Sequence, residues 1–83
     1  MESILKKFKE AEEYVDMQRE YNTSTYINGY ELEVKDDKIC VFVEYEICYD
    51  EDRPCDFGFT WFELDHYPTE EELKLLKENG YYL

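Results

Sequence analysis

The stretch Ile39–Tyr49, ICVFVEYEICY, constrains the fold of this chain more than any other. Ile39, Val41, Val43, Tyr45, Ile47 and Tyr49 fall on one parity, and Cys40, Phe42, Glu44, Glu46 and Cys48 on the other. Such sustained alternation predicts a β-strand with one face in a core. Its β-branched and aromatic residues suit a pleated, packed surface. The segments before and after it can both pair with it, which predicts a central strand.

The preceding segment, Tyr26 to Val34, places Tyr26, Tyr30, Leu32 and Val34 on one parity. A two-residue turn at Asp36-Asp37 would set Val34 opposite Ile39, Leu32 opposite Val41, Tyr30 opposite Val43 and Tyr26 opposite Ile47. Asn28-Gly29 is a common hairpin dipeptide, but a turn there would leave too short a partner, so Gly29 is expected to mark a bulge. Downstream, Tyr49–Asp56 is an acidic loop containing Pro54. A third strand, Phe57 to Asp65, is expected to return antiparallel. Pairing Cys48 with Phe57 would set Thr60, Phe62 and Leu64 opposite Tyr45, Val43 and Val41.

Helices flank these strands. Ser3 can cap a first helix running to about Tyr21, whose residues Ile4, Phe8, Ala11 and Val15, with Leu5 alongside, form an apolar stripe. Thr69 and Glu72 make a capping box for a last helix, and Glu70–Glu72 match its dipole. Leu73 and Leu76, with Leu75 at the margin, supply its buried side. Asn79-Gly80 stops it, and Tyr81–Leu83 is expected to pack back as a tail. The predicted fold is one α+β domain over residues 1–83: α-β-β-β-α, a three-stranded antiparallel meander with two helices packed on one face.

Charge is the strongest bulk signal, with 22 acidic against nine basic residues and a net charge of −13. The excess sits between residues 21 and 66, which hold twelve acidic and three basic side chains. That field repels nucleic acid and anionic membranes and attracts basic surfaces. The parity opposite the core collects Glu31, Glu33, Phe42, Glu44, Glu46, Phe59, Trp61, Glu63 and Asp65, with Cys40 and Phe57 beside them. Together with the loop residues Asp50, Glu51 and Asp52, these are the candidate partner-binding residues. Carboxylates at i and i+2 of a strand are about 6.6 Å apart, roughly twice the ~3.4 Å axial phosphate spacing of a DNA strand. The rings would add anchors of the kind that dominate binding energy. Competing readings are that the first helix or the tail covers these rings, that they form a homodimer contact, or that the charge serves solubility.

Signals for chemistry are sparse, so no catalytic residue, metal ligand or cofactor is assigned. His66 is the one histidine, and the serines Ser3 and Ser24 sit in no nucleophile-elbow setting. A Cys55–His66 thiol–imidazole pair, or Glu44 with Glu46 as an acid–base pair, is the least favoured reading. Counting from Asp50 as an EF-hand loop puts Cys55 and Trp61 where Gly and Glu are required, so the loop is expected to be a solvated turn with at most an incidental divalent site. Cys40, Cys48 and Cys55 are odd in number and lack C-x-x-C spacing, which predicts reduced thiols and a cytoplasmic location. The sequence MESILKKFKEAEEY has no signal-peptide pattern, and the run Ile39–Val43 is too short to span a bilayer.

The α-β-β-β-α order is similar to that of double-stranded RNA-binding domains, which need a basic face. Here the one basic cluster, Lys6, Lys7 and Lys9, is balanced by nearby glutamates. Small size, heavy acidity and mixed helix–sheet order resemble instead some anti-CRISPR and anti-restriction proteins, mobile-element proteins that imitate DNA. The resemblance is one of charge and architecture, with no shared motif. It implies a non-catalytic inhibitor whose partner is a basic protein surface, in the concrete case a nucleic-acid-binding enzyme, with no direct contact to nucleic acid or membrane.

Overall fold

A computed structural model describes residues 2–83, with side chains from Ile4 onward. The cap expected of Ser3 lies outside the described side chains. The elements are α1 (Glu2–Met17), β1 (Thr23–Lys35), β2 (Lys38–Tyr49), β3 (Asp56–Leu64) and α2 (Glu70–Glu78). The strands form one antiparallel sheet in the order β1-β2-β3, with β2 central as its alternation requires. The α+β meander with two helices is therefore the fold of the chain.

The apolar stripe of α1 is the inner side of the helix layer: Ile4, Phe8, Ala11 and Val15 are all buried. Beneath it lie Val41, Val43 and Tyr45 of β2 and Leu64 of β3, while α2 adds Leu76 and the tail adds Tyr81. Phe8 holds this layer together, its ring centroid 5.2 Å from Tyr30, 5.0 Å from Phe62 and 5.2 Å from Tyr81. Tilted and edge-on ring pairs at these separations add to the burial itself. Burial and the nearby Glu12 carboxylate push the Tyr30 phenol up to about 12.

α1 ends at Met17, four residues before the expected Tyr21. Its last turn tightens, with Gln18 N–H donating to the Val15 carbonyl and Arg19 N–H to that of Asp16. Asn22 then takes a left-handed conformation, φ 59°, and Thr23 Oγ1 bonds both Glu20 backbone groups at 2.7 Å. These contacts turn the chain directly into β1, which starts three residues earlier than expected.

Asp36 and Asp37 both have positive φ, 51° and 62°, as a two-residue hairpin turn of the I′ kind demands. Val34, Leu32 and Tyr30 accordingly face Ile39, Val41 and Val43, as the sequence predicts. Beyond them the register shifts between Ile27 and Gly29. The bulge is where Gly29 predicts it, but its extra residue reverses the parity upstream. Ile27 therefore packs in the core beside Tyr45, whereas Tyr26 pairs with Glu46 and is exposed, correcting the expected Tyr26–Ile47 pair.

β3 is displaced by two residues from its expected register: Thr60 faces Val43, Phe62 faces Val41, and Leu64 faces Ile39. The cause is Gly58, which lies opposite Tyr45. A Cβ on Gly58 would stand 2.7 Å from Tyr45 Cζ, so the ring occupies the space that only glycine leaves. A shift of two preserves parity, and the face assignment of β3 survives.

At α2 the capping box forms as the sequence dictates: Glu72 N–H donates to Thr69 Oγ1 at 3.2 Å, and Thr69 N–H to Glu72 Oε1 at 3.0 Å. At the other end, Tyr81 N–H donates to the Leu76 carbonyl and Gly80 N–H to that of Lys77. Gly80 has φ +90°, the left-handed position this C-terminal motif reserves for glycine. The motif turns Tyr81 into the core, where its hydroxyl donates to Glu12 Oε1.

Candidate functional site: the open face of the sheet

Both helices lie on one side, so the alternate residues of all three strands are left uncovered. Read across β1, β2 and β3, the rows are Tyr26, Glu46, Phe57; then Gly29, Glu44, Phe59; then Glu31, Phe42, Trp61; then Glu33, Cys40, Glu63. The rings are in solvent: Phe57 is 77% exposed, Phe59 67%, Trp61 57% and Tyr26 53%. Among the described residues neither α1 nor the tail covers them, because Ile4, Phe8 and Tyr81 pack against the opposite face. Gly58 and the bulge residue Asn28 leave a shallow depression of about 550 Å³ between the outer strands, walled by Glu31, Glu33, Glu44, Phe42, Phe57 and Phe59.

The carboxylates of this face are not neutralised. Among the described residues the ion pairs are Arg19–Asp16, His66–Asp65 and His66–Glu72, and none involves Glu31, Glu33, Glu44, Glu46 or Glu63. The basic residues nearest the face are Lys7 of α1, whose Nζ donates to the Glu63 backbone carbonyl at 2.7 Å, and the Lys35–Lys38 pair past the last row.

Asp65 departs from the expected set. It lies in the bend after β3, and its Oδ1 is 2.6 Å from His66 Nδ1. His66 Nε2 is 2.7 Å from Oε1 of the buried Glu72, so both ring nitrogens face carboxylates. That arrangement favours the doubly protonated ring, and the bonds to Glu72 and then Asp65 raise the His66 pKa above its ordinary value of 6.5. The Thr69 backbone bond, followed by His66, holds the Glu72 carboxyl below its usual range. Asp65 thus lies just past the last row of the face, its exposed side chain held by His66.

The loop bearing Asp50, Glu51 and Asp52 is a solvent-exposed turn, as expected, and it is braced at its base. Asp50 N–H donates to the Asn22 carbonyl at 3.0 Å, and the Tyr49 hydroxyl donates to Asp56 Oδ2. The Arg53 guanidinium lies 3.5 Å over the Tyr49 ring, a cation–π contact. Cys48 and Cys55 are joined by a disulfide, which corrects the expectation of three reduced thiols; Cys40 alone is free. The correct register explains the bond, since continuing the β2–β3 ladder puts Cys48 directly opposite Cys55. The structure also keeps Cys55 and His66 apart, at opposite ends of β3.

Two features of the face escape a parity count. Tyr26 joins it only because of the bulge, and the cysteine pair becomes visible only once Gly58 fixes the register. No family model, curated protein or solved structure matches the chain. No helix is long and apolar enough to cross a membrane, among the described residues.

Proposed function

We propose that the chain is a small non-catalytic binding protein whose open sheet face docks on a basic protein surface. In its most concrete form the partner is a nucleic-acid-binding enzyme, inhibited because the face imitates the charge of its substrate. One observation carries this reading: five carboxylates with no ion-pair partner among the described residues share one sheet face with four exposed rings. Unpaired carboxylates draw a cationic surface in, and desolvated rings then hold it. A covalent role has less support, because the His66 nitrogens are occupied by Asp65 and Glu72 and the Cys55 sulfur by Cys48.

The test is capture of nucleic-acid-binding proteins from the host on immobilised protein, with duplex DNA as competitor. DNA should release what the wild type retains, and the Glu44→Lys, Glu46→Lys double variant and Trp61→Ala should retain far less. Retention indifferent to DNA and to these substitutions would reject the reading. The exposed row Phe57, Phe59, Trp61 on an edge strand also favours self-association. Face-to-face pairing would oppose like charges, so a dimer of this kind should appear only at high salt in sedimentation measurements.

A further inference from the structure

The open face ends in a row that partner docking leaves unused. Cys48 and Cys55 stand opposite each other at the neck of the β2–β3 hairpin, their Cα atoms 4.4 Å apart. That is the spacing of a non-hydrogen-bonded antiparallel pair, in which side chains approach most closely. Glu46 lies two residues before Cys48 on the same face. A carboxylate oxygen of Glu46 and the two Sγ atoms all lie within 4.8 Å of one another, and all three side chains are half-buried.

We propose that reduction of this disulfide converts the row into a metal site, in which Cys48, Cys55 and Glu46 bind a soft divalent cation of the Zn²⁺ type. Two thiolates and one carboxylate suit zinc and leave the fourth tetrahedral position to water. Tetrahedral bonds of about 2.3 Å to sulfur put the two sulfurs about 3.8 Å apart. Rotation of the side chains supplies that separation once the S–S bond is gone, while the β2–β3 ladder keeps the backbones in place. Mg²⁺ and Ca²⁺ prefer all-oxygen shells, so the donor set discriminates against them. The loop closed by the pair carries Asp50, Glu51 and Asp52, whose field disfavours free thiolates yet attracts a cation.

The exchange balances with a dithiol reductant. Its two thiols pass two electrons and two protons to the Cys48–Cys55 bond and become a disulfide themselves. Metal binding then releases the two thiol protons to water. A disulfide oxidant reverses both steps: it takes two electrons from the pair and two protons from water, leaves as two thiols, and the re-formed Cys48–Cys55 bond releases the cation. A cytoplasmic location would favour the reduced, metal-binding form. The site takes Glu46 from the adjoining row of the docking face, but metal binding by the reduced chain requires no docked partner.

The test is titration of the reduced full chain with Zn²⁺ against a chromophoric chelator, and with Cd²⁺ while recording ultraviolet absorption. One equivalent should bind, with a thiolate-to-metal charge-transfer band, and the oxidised protein should bind none. Cys48→Ser and Cys55→Ser should abolish the band, and Cys40→Ser should leave it intact. Glu46→Gln should weaken Zn²⁺ binding by at least about tenfold, the scale of losses at metal-site positions. Circular dichroism of each variant separates loss of the site from loss of the fold. Absence of the band in reduced wild type, its survival in either Cys48→Ser or Cys55→Ser, or indifference to Glu46→Gln would overturn the proposal.

Discussion

Val43 and Phe42 are neighbours in β2, yet Val43 is fully buried under the helices while Phe42 looks out between Glu31 and Trp61. The same contrast runs along β3, where Thr60 faces the helix layer and Trp61 faces solvent. One face of the sheet is therefore committed to stability, and the other is relieved of it. The open face keeps large rings without the cover that usually justifies them, and it interleaves them with unpaired carboxylates. Substitutions on the two faces should therefore separate folding from binding.

The largest effect is expected at the centre of the covered face. Val43→Asp would bury a carboxylate with no partner, a cost of several kcal/mol that a domain of this size does not survive. A cooperative melt close to that of wild type would refute the central position of β2. Next comes Gly58→Val, which sets a branched side chain against the Tyr45 ring. It should cost about 1–3 kcal/mol by overpacking, measured by urea denaturation. An unchanged midpoint would mean that Tyr45 has somewhere else to go.

The open face should answer differently. Trp61→Ala should lower stability by no more than about 1 kcal/mol, the span of strand preferences. A larger loss in the same denaturation experiment would show that the open face also supports the fold. The smallest effect concerns pH. Because the His66 pKa is raised on folding by Glu72 and Asp65, its contribution is complete below its ordinary value of 6.5 and is lost as pH rises through the raised value. Glu72 runs the other way: its depressed pKa contributes above its ordinary value of 4.5 and is lost as pH falls through the folded one. Thermal melts of His66→Gln should show a flatter decline across the neutral range than wild type. Equal slopes would contradict the clamp.

Much of this was legible in the residue order because parity is robust. Ile39 to Tyr49 can bury one face only, and a register error of two residues moves no side chain across the sheet. The capping box at Thr69 and the Asp36-Asp37 turn were legible because their chemistry is local. What escaped depends on single residues acting over distance. The bulge before Gly29 reverses everything upstream of it, so Tyr26 changes face. Gly58 fixes the β3 register through the ring of Tyr45, a residue 13 positions away. The Cys48–Cys55 bond follows from that register and could not be read before it. His66, the one histidine, showed no partner in sequence because Glu72 reaches it only after the chain has turned into α2.

The most direct test of the central claim asks where a basic segment settles on the protein. Trp61 is the chain's one tryptophan and stands on the open face, so its fluorescence reports contact there without a label. The protein would be titrated with an arginine-rich peptide at several salt concentrations while fluorescence and amide chemical shifts are recorded. The account predicts a Trp61 response that weakens steeply with salt, with shifts gathered on Tyr26, Glu44, Phe57, Phe59 and Trp61. A silent Trp61, with shifts gathered on α1 or at the Asp36-Asp37 turn, would contradict it.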